Sequence, residues 1–177
     1  ELSRIDLKQF KKVLPYLPDV EGWLGGSVHY VDSEGQMMLS ADVNLDNFAY
    51  EKSPLGNWTM SGAYLPGDNN AHHVDGFITH NDQETIYMNG VYQTDETGQE
   101  NITGELELQH FPLRVINPFI PEKMVGFTGD IDGTLSMSGS PMKPVLNGGL
   151  QLDSVLMIMP DMSVGFRFDN KQVKMQD

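Results

Sequence analysis

Apolar and polar residues alternate one by one along most of this chain, and polar turn-forming stretches interrupt the alternation at short intervals. The segments 24–30, 39–45, 58–64 and 102–108 each show the pattern. Successive side chains of a β-strand point to opposite faces, so this alternation predicts strands with one apolar face and one wet face. The sequence therefore predicts an all-β chain that folds as an antiparallel meander of about nine to eleven strands.

Composition excludes several classes of protein. The 177 residues are about one ordinary domain long, and their formal net charge of −14 makes nucleic acid an unexpected partner. The longest apolar run, at 155–159, is much shorter than the roughly 18 residues that a membrane-spanning helix needs. The chain has no cysteine, which excludes disulfides, thiolate metal sites and a cysteine nucleophile.

One short helix is predicted near the start of the chain, where apolar residues recur at helical spacing. The apolar stripe consists of Phe10, Val13, Leu14 and Leu17. Ser3 and Asp6 have the spacing of an N-terminal cap, and Pro15 is expected to end the helix near Leu14.

The second half of the chain repeats the first at an offset of 107 residues. Gly22 then falls on Gly129, and Leu45 falls on Leu152, with the apolar and wet positions in the same phase. The lead-in LPYLPD at 14–19 is answered by NPFIPE at 117–122. We therefore expect a first repeat unit at 1–110 and a second, truncated unit at 111–177. Because the chain begins at Glu1, we expect it to be a fragment of a longer modular protein.

The motifs of both halves resemble a known family. The segment LPYLPD leads into EGWLGG at 21–26, and GDIDGTL at 129–135 leads through SPMKP at 140–144 to GGLQL at 148–152. This order of a glycine-punctuated strand, a proline turn and a second strand resembles the TamB branch of the AsmA-like proteins. The resemblance spans nearly the whole chain.

The resemblance implies a fold, a location and a role. Members of the family are anchored in the inner membrane of Gram-negative bacteria and cross the periplasm as a long, curled, open antiparallel sheet with an apolar concave face, a β-taco-like groove. The implied role is to carry phospholipid toward the outer membrane. A second implied role is to support outer-membrane protein assembly with an Omp85-type barrel, TamA or its lipoprotein relative TamL.

Periodicity alone favours a filled sandwich core over an open groove, whereas the resemblance favours the groove. Glycines among the apolar positions, Gly26, Gly62, Gly133 and Gly148, would permit sharp curvature. The predicted lipid-groove residues are Leu24, Val28, Tyr30, Leu39, Val43, Leu45, Met60, Ile131, Leu135, Met137, Leu150, Leu152 and Phe166.

The chain offers little for catalysis or metal binding. His72 and His73 are adjacent, so they should point to opposite faces of a strand, and a third metal ligand is not evident. Glu105 and Glu107 share one face without a nearby histidine or pocket motif. Asp130 lies in a sequence that lacks the later acidic positions of a calcium loop. We therefore expect no enzymatic activity, no metal and no cofactor.

Two other interpretations stay open at this stage. The first is a secreted or surface β-sandwich that binds a glycan or a protein through the aromatic residues Trp23, Tyr50, Trp58 and Tyr64. The second is a lipocalin-like closed barrel with one small ligand, which requires the strands to close into a ring. The repeat and the proline turns disfavour the barrel.

Overall fold

The computed structural model describes residues 2–33, 36–121, 124–168 and 170–175. These residues form one antiparallel sheet of eleven strands. The strands are β1 (Leu2–Asp6), β2 (Val20–Ser33), β3 (Gln36–Tyr50), β4 (Ser53–Pro66), β5 (Ala71–His80), β6 (Gln83–Thr94), β7 (Glu100–Pro112), β8 (Gly126–Ser140), β9 (Lys143–Met159), β10 (Val164–Phe168) and β11 (Lys171–Met175). The α-helix α1 is Lys8–Val13, and two 3-10 helices are Leu113–Phe119 and Pro160–Met162.

The sheet is a meander in which each strand from β1 to β9 pairs with the next, and β11 pairs with residues 148–152 of β9. The first and last strands do not pair with each other, so the sheet stays open. This confirms the predicted all-β antiparallel fold and excludes the closed barrel. The strands are longer than the alternating segments, because pairing extends into the flanking polar residues.

The start of the chain differs from the prediction. Ser3 and Asp6 belong to β1, which pairs with β2, and α1 begins only at Lys8 after Leu7. No residue of α1 is buried, and Phe10 and Val13 are 39% and 77% exposed. The predicted N-terminal cap is therefore wrong, because a strand partner was available for this segment.

Close backbone contacts at glycines accompany the curl of the sheet. A Cβ atom at Gly26 would lie 2.3 Å from the carbonyl oxygen of Asp42, and one at Gly133 would lie 2.2 Å from that of Gly149. Neither distance leaves room for a side chain, so the neighbouring strands approach more closely here than any other residue permits. Of the other two glycines predicted to permit curvature, a Cβ at Gly148 would lie 2.1 Å from the carbonyl oxygen of Thr134, whereas one at Gly62 would lie 3.4 Å from the nearest atom. Their role in curvature stays a prediction.

Two hairpins of the sheet are equivalent at the offset of 107 residues. Val28 pairs with Ala41 in β2 and β3, and Leu135 pairs with Gly148 in β8 and β9. Both β3 and β9 contain a bulge at which one residue is left-handed, Asn47 with φ 50° and Ser154 with φ 51°. The periodic match in sequence therefore corresponds to the same register and the same irregularity in structure.

The 3-10 helix 113–119 connects β7 to β8, and the Asn117 side chain joins it to the sheet by two hydrogen bonds. The side-chain Nδ2 of Asn117 donates to the backbone carbonyl oxygen of Phe127 at 2.8 Å. The side-chain Oδ1 of Asn117 accepts from the backbone N–H of Phe127, also at 2.8 Å. Asn117 thus replaces the strand partner that Phe127 loses where β7 leaves the sheet. Val115 of this helix is buried at 6% exposure.

Candidate functional site

Apolar residues form three uninterrupted rows across one face of the sheet. Register partners of an antiparallel pair share a face, so each row can be followed from strand to strand. The first row is Gly26, Val43, Met60, Ile78, Ile86, Leu108, Gly133, Leu150 and Val173. The second is Val28, Ala41, Gly62, Gly76, Met88, Leu106, Leu135, Gly148 and Met175, and the third is Tyr30, Leu39, Tyr64, Val74, Gly90, Gly104, Met137 and Leu146.

The first two rows cross nine strands, which at the usual strand spacing is about 38 Å of continuous apolar surface. We call this surface the inner face. The opposite face is mostly polar along the same path, with Phe77 among its exceptions. Its row between the second and third inner rows is His29, Ser40, Ala63, Asp75, Asn89, Glu105, Ser136 and Asn147. The charge of the chain is thus concentrated away from the inner face.

The inner face is concave. Leu24 of β2 and Phe111 of β7 line the same apolar cavity of about 500 Å³, although their strands are five positions apart in the sheet. In a flat sheet such strands would be about 24 Å apart. Val115 and Phe119 of the 3-10 helix 113–119 complete the wall of this cavity. The sheet therefore curls around its apolar side, and the helix covers one end of the strands.

A second apolar concavity of about 340 Å³ lies farther along the same face. Its walls include Val74 and Met88 from the middle of the sheet and Leu135 and Met137 from β8. The first concavity lies on the first row and on the apolar residues beyond it, and the second lies on the second and third rows. The inner face is therefore a groove with depressions along it, rather than one closed pocket.

Most of the predicted groove residues lie in these rows. Val43, Met60 and Leu150 are in the first row, Val28 and Leu135 in the second, and Tyr30, Leu39 and Met137 in the third. Leu24 pairs with Leu45, and Ile131 pairs with Leu152, one step beyond the first row. Phe166 pairs with Met157 at the far end of the sheet. Whether these residues contact lipid remains a prediction.

The groove is not a filled core. In the described part of the chain only three apolar side chains are buried, those of Leu55, Val115 and Val155. By contrast, Val28 and Met60 of the inner rows are 55% and 50% exposed. A packed sandwich would bury most of its inward residues. The alternation that periodicity alone would assign to a filled core therefore belongs to an open surface.

Several residues of the groove were missed at the level of sequence. Ile78, Ile86 and Leu106 continue the rows and carry the same alternation as the predicted residues, so that signal could have found them. Val115 and Phe119 carry no periodic signal, because the helix that presents them is a single short 3-10 segment.

Polar aromatic groups flank the apolar rows at the two ends of the strands. His80 is buried, and its ring contacts that of Trp58 in a tilted arrangement with centroids 4.4 Å apart. Its Nε2 lies 2.9 Å from the Leu55 carbonyl oxygen. At the opposite ends of the strands, Tyr64 and Tyr92 place their rings on either side of His72, with centroids 5.8 and 5.7 Å away. The sequence did not predict these clusters, because their members come from different strands.

Comparison with protein families decides the identity of the chain. The family profile of the TamB N-terminal domain matches residues 1–152, which is most of the sequence.

The chain belongs to the TamB family.

Comparison with curated proteins and with solved structures found no match. TamB-family members are cell-envelope proteins, and the motifs that resembled this family lie largely within the matched residues. Within the described ranges, no helix is long and apolar enough to cross a bilayer.

The carboxylates of this TamB-family chain form local contacts on the outer face. Asp75 accepts a hydrogen bond from the Tyr87 hydroxyl at 2.7 Å, and this carboxylate raises the pKa of Tyr87 above its usual value. The backbone amide of His110 donates to Asp132 at 2.8 Å. Across the described residues, no group of three or more ligating side chains could hold a metal ion. These contacts are those of a solvated sheet face.

The aromatic residues of the alternative binding-module interpretation do not form one patch. Trp58 and Tyr64 lie on the inner face, whereas Trp23 alternates with the inward Leu24 and contacts Arg4 at 5.0 Å. The ring of Tyr50 contacts that of Phe119 in the 3-10 helix 113–119 at a tilt, with centroids 4.6 Å apart. Nothing in this arrangement presents the four rings to one glycan or protein surface.

Proposed function

We propose that this chain is a non-catalytic periplasmic segment of a TamB-like envelope protein, and that its inner face carries phospholipid acyl chains between the inner and outer membranes. One observation carries the proposal: three parallel rows of apolar residues cross the sheet without a polar interruption, on a concave face that remains partly open. An open apolar surface of this extent is the mark of a binding groove.

Physical chemistry explains why such a surface suits a lipid. Exposing an acyl chain to water costs about 0.8 kcal/mol of free energy for each CH₂ group, so passage through an aqueous compartment requires continuous apolar contact. The first two inner rows offer this contact over about 38 Å, which is longer than the part of the sheet that lines either apolar cavity. Met60, Met88 and Met137 lie in these rows, and flexible thioether side chains adapt to chains of variable shape.

The proposal includes a second role in which the parent protein supports outer-membrane protein assembly with an Omp85-type barrel, TamA or TamL. Membership of the family supports this role. We place the contact with that partner in parts of the parent protein outside residues 1–177.

Site-specific photocrosslinking tests the lipid role. A photoreactive amino acid is placed at Val43 on the inner face or at Asn44 on the outer face of the parent protein in Gram-negative cells. After irradiation, the adducts are identified by mass spectrometry. We expect phospholipid adducts at Val43 and none at Asn44, because adjacent residues of β3 face opposite sides of the sheet.

The two positions control for each other, since they share a strand, a depth and a level of expression. Adducts at Val43 that contain only peptide from the same chain would mean that the inner face is filled by protein. Phospholipid at both positions in equal amounts would mean adsorption without a groove. Either result would contradict the proposed function.

A further inference from the structure

A cluster of hydrogen-bonding aromatic residues lies on the otherwise apolar inner face. The Tyr64 hydroxyl is 2.6 Å from Nδ1 of His72, and the His72 ring lies between the rings of Tyr64 and Tyr92. The Thr94 hydroxyl donates to the Tyr92 hydroxyl at 3.3 Å. The four residues come from three strands, β4, β5 and β6, and we call them the tyrosine–histidine cluster.

The position of this cluster relates it to the groove. Tyr64 belongs to the third apolar row, and His72 and Tyr92 are paired one step farther along the strands. The 3-10 helix 113–119 covers the opposite ends of the strands. A molecule that lies on the apolar rows therefore has hydrogen-bonding groups beside it at one margin of the groove and apolar cover at the other.

The chemistry of the cluster fits a phosphate oxygen. When the Tyr64 hydroxyl donates to Nδ1 of His72, the neutral imidazole carries its proton on Nε2. In the described part of the chain, Nε2 of His72 has no hydrogen-bond partner. The cluster therefore offers an N–H donor beside two phenol groups at the border of an apolar surface. Such a group can donate a hydrogen bond to a phosphate oxygen of a molecule whose apolar part lies on that surface.

From these contacts we propose that the tyrosine–histidine cluster binds the headgroup phosphate of a phospholipid whose acyl chains lie on the inner rows. The proposal rests on the proposed function and specifies how the groove orients its ligand. The formal charge of −14 on the chain opposes a headgroup with net negative charge, so the ligand class is a zwitterionic phospholipid.

Calorimetric titration of the 177-residue chain with short-chain lipids tests this assignment. The probes are dihexanoyl phosphatidylcholine, the net-anionic dihexanoyl phosphatidylglycerol, dihexanoylglycerol with the same chains and no phosphate, and inorganic phosphate. We expect phosphatidylcholine to bind about tenfold more tightly than dihexanoylglycerol, because the phosphate adds charge-assisted hydrogen bonds. Phosphatidylglycerol should bind more weakly than phosphatidylcholine, and inorganic phosphate should show no measurable binding.

His72→Ala should abolish the preference for phosphatidylcholine, so that phosphatidylcholine and dihexanoylglycerol bind with similar affinity. The matched control is His73→Ala, because His73 is the next residue on β5 and faces the outer side. Tyr64→Phe keeps the ring contact and removes one hydroxyl, so it should lower the preference by an intermediate factor. Thermal unfolding of each variant checks that the sheet is intact.

The outcomes separate this proposal from the function on which it rests. If both lipids bind and His72→Ala has the same effect as His73→Ala, the headgroup site is wrong and the lipid groove stands. If inorganic phosphate binds as tightly as phosphatidylcholine, the cluster is a site for free phosphate. If phosphatidylglycerol binds more tightly than phosphatidylcholine, the zwitterionic class is wrong. If neither lipid binds the unsubstituted chain, both proposals fail.

Discussion

At the scale of single residues, the inner face alternates between side chains that fill space and glycines that leave it empty. Gly62 of β4 pairs with Gly76 of β5 in the second row, and Gly90 of β6 pairs with Gly104 of β7 in the third row. At each of these two places, two adjacent strands lack side chains. A Cβ atom at Gly104 would lie 2.7 Å from the carbonyl oxygen of Asn89. Glycine at such positions permits close strand approach and leaves room above the backbone.

Gly26 and Gly25 allow a direct test, since they are neighbours with different surroundings. A Cβ at Gly26 meets the Asp42 carbonyl at 2.3 Å, whereas a Cβ at Gly25 meets nothing within 4 Å. Gly26→Ala should lower the free energy of unfolding by about 1–3 kcal/mol through overpacking. Gly25→Ala should leave it unchanged or raise it by up to about 1 kcal/mol through lost chain entropy in the unfolded state.

Denaturant unfolding of the two variants and the unsubstituted chain gives this comparison. Similar midpoints for Gly26→Ala and Gly25→Ala would show that the strands can separate at Gly26 without loss, and would remove the role of this glycine in the curl.

At the scale of elements, the two short helices occupy equivalent places and make different contacts. Helix α1 follows β1 and precedes β2, and the 3-10 helix 113–119 follows β7 and precedes β8. The pairs β1–β2 and β7–β8 have a bulge at the same level, between Leu2 and Ile5 and between Leu108 and Phe111. Helix α1 buries none of its residues, whereas the 3-10 helix 113–119 buries Val115.

One valine in each helix makes this difference measurable. Val115 is 6% exposed and Val13 is 77% exposed. Val115→Ala should lower the free energy of unfolding by about 1–3 kcal/mol, because it removes buried methyl groups beside a cavity. Val13→Ala should change it by less than about 0.5 kcal/mol, as is usual at an exposed position.

Thermal and urea unfolding of these two variants under the same conditions checks the prediction. A loss of stability from Val13→Ala as large as that from Val115→Ala would mean that α1 contributes to the fold through contacts absent from this structure.

At the scale of the whole molecule, the proposed function depends on the continuity of the apolar rows. Each row contains one residue from every strand that it crosses, so a charge on any strand would interrupt the path proposed for an acyl chain. Leu135 lies in the second row, and Ser136 is its outward neighbour on β8. The two positions differ in face and are otherwise matched.

Leu135→Asp in the parent protein should reduce phospholipid transfer to the outer membrane by roughly tenfold or more, because an unpaired carboxylate on the apolar lining is costly. Ser136→Asp should change transfer by less than about twofold, since its side chain lies among polar residues on the outer face. Pulse-labelled phospholipid in separated membranes measures the transfer. Equal effects of the two substitutions would argue against the assignment of the faces.

The sequence by itself predicted most of the strands, their antiparallel order and the faces of their side chains, but it missed β1, whose Ser3 and Asp6 were assigned to a helix cap. The strict alternation at Leu39, Val43 and Leu45 permits only one apolar face, because a slip of one residue would turn all three outward. The repeat aligned Gly129 with Gly22, and in the structure Gly129 lies opposite the β9 bulge, where its φ of 89° suits glycine. Local chemistry was sufficient for these features.

Only the tertiary structure decided whether the apolar face is filled or open. The same alternation is compatible with a sandwich core, and the exposure of Val28 and Met60 distinguishes the two. The cover by Val115 depends on the curl, which brings distant segments together, and the grouping of Tyr64, His72 and Tyr92 depends on the register of β4, β5 and β6. A one-dimensional pattern specifies the direction of each side chain, whereas curvature, and with it the content of the groove, arises from the sum of contacts between strands.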